Sequence, residues 1–335
     1  PVSLRSARIE LMPDGPRIIL TDARAFGAEW KGTISRKSAA ADANPEWEFD
    51  LSASRLDVAE LNRWLGARPR PGFLQRISPF GQPDRGASDR DAALDLLRAR
   101  GRLLIEEFVL APLFVRRLRA QAEIAGRKLT IRQAQGDFYR GSLNGSLVAE
   151  LTSQPVYRFE GRFSHVNLAQ LADETATLKG RFAGEATGAL NLVARGIGRE
   201  ALVGSLEGGG VFTVRGARVR GLDLANVSLG ARPLSGSPPF QTDAGFSLGK
   251  GQVRFERLDL RENGNHFEAS GSVNFSRALD LNVRRVSSQS RATPPPPRGQ
   301  SFRLTGTLEA PAINLSPPSA GPPAKPGRKS AAKRP

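Results

Sequence analysis

Apolar and polar residues alternate along most of this chain with a period of two. That spacing belongs to the β-strand, in which successive side chains point to opposite faces. Phe267, Ala269, Gly271, Val273 and Phe275 share one face of such a segment, and Glu268, Ser270, Ser272 and Asn274 share the other. After a turn at Ser276-Arg277, Leu279, Leu281 and Val283 resume the pattern. Leu118, Ala120, Ala122 and Ile124 show it before a turn at Gly126-Arg127. Leu143, Gly145, Leu147, Ala149 and Leu151 form another strand, and Tyr157, Phe159, Gly161 and Phe163 the next. One apolar and one polar face per strand predicts an antiparallel sheet that is wet on one side.

Two departures from strict alternation carry information. The apolar residues are odd-numbered at Val253 and Phe255 and even-numbered at Leu258 and Leu260, so a β-bulge is expected near Arg257. A phrase of two glycines flanking an apolar residue recurs at Gly141-Ser-Leu143-Asn-Gly145, Gly180-Arg-Phe182-Ala-Gly184 and Gly204-Ser-Leu206-Glu-Gly208. Glycines two apart lie on one face of a strand, thin it, and let the sheet bend. A longer repeat agrees: residues 49–61 match residues 159–171, and both copies pass from a strand into a helix at an Asx residue, Asp57 or Asn167. In the first copy the helix continues through Leu61, Trp64 and Leu65 and stops at Gly66 before Pro69 and Pro71.

The expected fold is mainly β: an elongated, curled antiparallel sheet of repeated strand units, a β-groove, with a few short helices and a disordered C-terminal tail. Residues 1–66 read as one β-repeat unit ending in a short helix. Residues 67–98 read as a linker rich in Pro, Gly and charge, with a short helix at 91–98. Residues 99–286 form the main β-rich domain. Residues 287–301, with Pro294 to Pro297, form a stiff spacer. Residues 302–316 provide a closing strand. Residues 317–335 are basic, lack large apolar groups, and should be disordered.

Composition excludes several function classes. No cysteine is present, so disulfides and thiolate metal sites are ruled out. No apolar run reaches the roughly 20 residues that span a bilayer as a helix. The chain begins at Pro1 rather than Met, which is expected of a segment of a longer protein with its export signal and membrane anchor upstream. The net charge of +16 draws attention to nucleic acid. Arginine supplies most of it, however, and alternates with apolar residues, as in Gln252-Val-Arg-Phe-Glu-Arg-Leu258. That pattern fits a solvated sheet face or attraction to anionic head groups. No zinc finger, basic zipper or RNP aromatic signature is present, so no specific nucleic-acid partner is expected.

No catalytic constellation emerges, and the chain is expected not to be an enzyme. Its two histidines, His165 and His266, both lie in or beside strand patterns, and no nucleophile elbow accompanies them. A metal site lacks cysteine and carboxylates at ligand spacing. Glu106 and Glu107 would point to opposite faces of a strand. Gly208-Gly-Gly210 lacks the Lys-Ser/Thr of a phosphate loop and reads as a strand entry or bulge. No cofactor and no metal are expected.

Several phrases resemble the AsmA-like family. Ser54 to Leu65 looks like its strand-to-helix phrase, and Gly101 to Phe108 is similar to the start of its C-terminal region. Ala134 to Gly145 resembles its aromatic, Gly, Gly, x, apolar, x, Gly signature, with Arg140 in place of the first Gly. Val211 to Gly216 with Gly221 to Leu224 also fits, as does Phe302 to Pro311 as a closing strand. The match covers most of residues 45–315. The resemblance implies a bacterial inner-membrane protein with an N-terminal anchor and a large periplasmic part, akin to TamB and the bridge-like lipid-transfer proteins. It implies a role in outer-membrane biogenesis, moving phospholipid or another envelope lipid along an apolar groove.

Leu143, Leu147, Phe159, Phe163, Phe255, Phe267, Val273 and Phe275 are the candidate groove-lining residues. The same residues could instead fill a closed core between the sheet and the short helices, because periodicity does not separate the two. Two other functions stand beside lipid binding: a scaffolding envelope protein whose sheet edges hold protein partners, and a basic protein that binds polyanions through residues 317–335.

Overall fold

The structure is a computed structural model. It describes residues 3–37 except 14 and 26, 46–60, 95–110 except 96, 112–174 except 153, 178–222 except 221, 238–286 and 301–315. These residues form one mixed sheet of 17 strands that does not close into a barrel. The N-terminal strands are β1 (Ser3–Met12), β2 (Gly15–Ala25), β3 (Ala28–Lys37) and β4 (Glu46–Asp57). The middle strands are β5 (Arg98–Leu110), β6 (Leu113–Ala125), β7 (Lys128–Phe138), β8 (Gly141–Glu150) and β9 (Val156–Asn167). The remainder are β10 (Phe182–Arg195), β11 (Glu207–Val219), β12 (Phe240–Gly249), β13 (Gln252–Glu262), β14 (Asn265–Asn274), β15 (Leu279–Val286), β16 (Ser301–Gly306) and β17 (Pro311–Leu315).

Each strand pairs with its neighbours in sequence, from β1 at one edge to β17 at the other. The sheet is therefore a long meander, antiparallel at all but one pair as the alternating pattern predicts. One pair departs from the expectation of a wholly antiparallel sheet: β4 and β5 run parallel. Two parallel neighbours cannot be joined by a tight turn and need a long crossover. Residues 58–97 supply it, and the expected linker and helix at 67–98 fall mostly outside the described residues; Arg98 already belongs to β5.

The bulge expected near Arg257 is present. Gly245 pairs with Arg257 and Phe246 with Phe255, so Glu256 is the extra residue. A second bulge at His165, where φ is 56°, moves the apolar face from Phe163 to Val166. Both strand-to-helix Asx residues cap as expected. The Asp57 carboxylate accepts from the Ala59 amide at 2.8 Å, and the Asn167 side chain accepts from the Gln170 amide at 3.0 Å. The second copy begins helix α1 (Leu168–Asp173), and the first opens a helical turn at residues 58–60. The expected continuation through Leu61, Trp64 and Leu65 lies outside the described residues. A short helix α2 (Arg199–Gly204), not expected from the sequence, joins β10 to β11. The expected single closing strand is a hairpin of two, β16 and β17, and the spacer at 287–300 and the tail at 317–335 lie outside the described residues.

The sheet curls onto its apolar side. The guanidinium of Arg181, just before β10, donates to the carbonyl of Glu309 in the β16–β17 turn, so the two ends of an eight-strand run meet. Inside that curl lies the principal core, which includes Val166, Ala186, Val214, Leu260, Phe267, Val283 and Phe302, with Leu168 and Leu171 of α1 packed against it. A smaller cluster of Ala28, Ala53 and Ile105 joins β3, β4 and β5.

The polar face explains the arginine content. Arg102 pairs with Asp50, Arg132 with Glu123, Arg158 with Glu150, Arg195 with Glu207, and Arg303 with Asp280, each across neighbouring strands. Exposed pairs of this kind contribute little each, typically about 0–1 kcal/mol. They do fix which face meets water.

Candidate functional site

Cross-strand pairing joins the apolar residues of separate strands into lines that run across the sheet. One line starts with Ile9, Ile18, Ile34 and Phe49 on β1 to β4. It continues through Gly101, Ala122, Ile131, Leu147 and Phe159 on β5 to β9. It runs on through Leu192, Gly208, Leu248, Val253, Val273 and Leu279 to β15. No polar side chain interrupts it. A parallel line passes from Ala134 through Gly145, Gly161, Leu190 and Gly210 to Phe246 and Phe255. It then runs through Gly271, Leu281 and Leu304 to Ile313 on β17.

Burial along these lines is uneven. Leu147, Phe159, Leu192, Leu248 and Val253 are only half-buried, so this strip stays accessible. Nearer α1, the line Val166, Ala186, Val214, Thr242, Leu260 and Phe267 is buried on every strand it crosses. The apolar face is thus open over its middle strands and filled both nearer α1 and where the two lines reach Leu279, Leu281 and Leu304, with Phe163, Phe255 and Val273 packed against that core. A shallow depression of about 430 Å³ lies where β9, β10 and β11 meet, lined by residues 158–160, 191–193 and 208–210 of both faces.

Four of the candidate lining residues come together in pairs. Leu147 stands opposite Phe159, and Leu143 opposite Phe163. Phe255 and Val273 lie further along the same face, opposite Gly271 and Val253. The other two sit elsewhere. Phe267 is 0% exposed and belongs to the filled core, opposite Leu260. Phe275 lies past the end of β14, in the turn to β15, and is 36% exposed.

Glycine shapes the strip. Gly208 and Gly271 have φ of 145° and 142°, and a Cβ on either would stand 2.0 Å from a carbonyl oxygen of the next strand. Other residues pay heavily for that backbone, so these are glycine positions. Phenylalanine rings lie over neighbouring glycines: the Phe159 ring covers Gly161, and the Phe163 ring covers Gly188. The rings therefore lie along the sheet surface and form a floor. Ile131, Leu192, Phe246 and Leu248 were not singled out from the sequence. They could have been found only from the strand register, which period-two patterns within single strands do not give.

At the rim of the strip, the hydroxyl of Tyr157 is buried without a hydrogen-bond partner among the described residues, and burial raises its pKa above the ordinary tyrosine value. Tyr157 stands between Ala149 and Ala194, on the same face as Phe159.

The polar face holds a cluster that linear spacing hid. Asp259, His266 and Glu268 come from adjacent antiparallel strands, and their side-chain ligand atoms lie within 4.8 Å of one another. The carboxylates do gather, contrary to the expectation from spacing. The guanidinium of Arg257 bridges Asp259 at 3.1 Å and Glu268 at 3.2 Å, and Arg284 pairs with Glu268 as well. Burial pushes the Asp259 carboxyl up, but hydrogen bonds from Arg257 and His266 outweigh it and hold the net value below the ordinary one. Two arginines already neutralise the site, so the cluster is an ion network. His165 is exposed, with its Nε2 3.9 Å from Glu185, and is far in sequence and in strand order from this cluster.

Compared with protein-family models, with curated proteins and with solved structures, the chain finds no match in any of the three.

Proposed function

We propose that this chain binds lipid acyl chains along the open apolar strip, as the periplasmic part of an AsmA-like, inner-membrane-anchored protein that serves outer-membrane biogenesis. The observation that carries the proposal is the uninterrupted apolar line from Ile9 to Leu279 with its half-buried middle at Leu147, Phe159 and Leu192. An apolar strip of this size left half-open to water is costly unless something covers it. An acyl chain fits that need. Each methylene removed from water contributes about 0.8 kcal/mol, so a sixteen-carbon chain gains on the order of 12 kcal/mol. Such binding requires continuity of apolar surface and few specific contacts. The Tyr157 hydroxyl, buried beside the strip without a partner among the described residues, would donate to an ester carbonyl of the lipid once the surface around it opens.

The test is to purify the chain without detergent and extract it for lipid mass spectrometry. Co-purifying phospholipid is expected, with loss in a Phe159→Asp, Leu192→Asp double variant that retains the β-sheet circular dichroism of the parent. Lipid-free parent protein that also takes up no fluorescent phospholipid from vesicles would sink the proposal.

A further inference from the structure

The β1 edge of the sheet is apolar and open. β1 pairs with β2 alone among the described strands, so alternate N–H and C=O groups along it face outward without a strand partner. Ile9, Leu11 and Met12 on this edge are 67%, 87% and 50% exposed, and Leu11 is the most exposed large apolar residue among those described. Proteins commonly blunt such an edge with a proline, a bulge or a short strand. The opposite edge, β17, has only five residues and begins at Pro311. In β1 the ladder shifts lie between Leu4 and Ala7, and pairing with β2 is regular from Ala7 to Met12.

The side chains of that regular stretch complement a second copy of themselves. When another β1 lies antiparallel with Ile9 opposite Ile9, Arg8 stands opposite Glu10 and Glu10 opposite Arg8, while Leu11 stands opposite the small Ala7. Directly opposite residues share a face, so both apolar faces lie on the same side. Centring the pair on Arg8 or on Glu10 instead sets like charges against each other. Half-step registers oppose odd and even residues and put apolar against polar. Neither Arg8 nor Glu10 closes an ion pair among the described residues, although Arg17 stands opposite Glu10 on β2. The open backbone would accept any strand. The charges favour β1 itself, because they answer each other twice about one two-fold axis. We propose that two copies of this chain associate edge to edge through β1, antiparallel about Ile9, as a symmetric dimer in which the apolar line that starts at Ile9 runs on into its copy. The contact needs no lipid, so it stands or falls separately from the acyl-binding strip.

Sedimentation of the full chain over a range of micromolar concentrations tests it. A concentration-dependent dimer is expected. Arg8→Glu and Glu10→Arg each place two like-charge pairs in the interface and should each weaken the dimer by about tenfold or more. An equal mixture of these two variants should dimerise again, because opposite charges then meet only between unlike chains. Both substitutions lie on the edge and should leave the circular dichroism of the parent unchanged. The chain has no cysteine, so Ile9→Cys introduces a single thiol. At the two-fold axis the paired Cα atoms would stand about 4.5–5.5 Å apart, within disulfide reach, and oxidation should link Ile9→Cys into dimers. Asn314→Cys on the β17 edge should not link to itself or to Ile9→Cys. A parent that stays monomeric, a dimer indifferent to either charge reversal, or a mixture that does not recover would overturn the proposal. Cross-linking only between Ile9→Cys and Asn314→Cys would overturn it too, as the mark of head-to-tail assembly.

Discussion

The ring of Phe163 occupies the volume that a side chain on Gly188 would need. The two residues stand two apart from the ladder shift at His165, opposite each other on β9 and β10, and a Cβ on Gly188 would lie 2.7 Å from the ring and 2.4 Å from the Val211 carbonyl oxygen. The backbone oxygen cannot move without breaking the β10–β11 ladder. Gly188→Val should therefore destabilise the chain by about 2–4 kcal/mol through overpacking. Chemical denaturation followed by circular dichroism would read this as a lower midpoint. An unchanged midpoint would mean that the ring turns aside at little cost.

Two phenylalanines of the same alternating pattern should answer differently to truncation. Phe267 is fully buried in the core beside Leu260, and Phe267→Ala should cost about 3–5 kcal/mol. Phe159 is half-buried on the open strip, so Phe159→Ala should cost less than half as much while reducing retained lipid. Paired denaturation curves and lipid extraction of the two variants check this. Equal costs would place Phe159 in the core as well.

That contrast marks what the sequence could reveal. Period two places Phe159 and Phe267 on apolar faces and identifies the strands around them, because a strand's two faces are set by local geometry alone. The bulge near Arg257 was legible for the same reason, since a phase slip between Phe255 and Leu258 is a local event. Whether a face is covered depends on the curl that brings Arg181 to Glu309, two residues 128 apart, and no local pattern encodes that meeting. The parallel β4–β5 pair and the gathering of Asp259, His266 and Glu268 were hidden likewise, as both depend on which strands lie side by side.

The Asn167 cap should stabilise α1 in a measurable way. Its side chain accepts from the Gln170 amide, and the helix it starts places Leu168 and Leu171 against the principal core. Asn167→Ala should cost about 1 kcal/mol, with faster amide exchange confined to α1 and the adjoining ends of β9 and β10. Exchange that accelerates evenly over the whole sheet would show that the cap serves global rather than local stability.

Acid should dissolve the tie between β15 and β16. The hydrogen bond from Arg303 holds the Asp280 carboxyl below its ordinary value of 3.8; burial opposes it, and the charge of Arg303 adds to the lowering. The folded value lies under the unfolded one, so the stabilisation is fully present above the unfolded pKa and is lost as pH falls through the folded one. Asp280→Asn should accordingly lower the thermal midpoint near neutral pH and converge on the parent in strong acid. Because the pair is exposed, the difference should be small and should shrink in salt. A difference that widens toward low pH would contradict this account.

Tyr157 should separate folding from binding in opposite directions. Its buried hydroxyl lacks a partner among the described residues, and an unsatisfied buried hydroxyl costs on the order of 1–3 kcal/mol. Tyr157→Phe removes that hydroxyl and keeps the ring between Ala149 and Ala194, so the lipid-free chain should become more stable by about 1 kcal/mol. If the hydroxyl donates to a bound lipid ester, the same variant should hold phospholipid less tightly, and added lipid should raise its melting temperature less than it raises that of the parent. A stability gain with unchanged lipid retention would remove Tyr157 from the binding strip and leave the apolar line through Phe159 and Leu192 as the whole of the site.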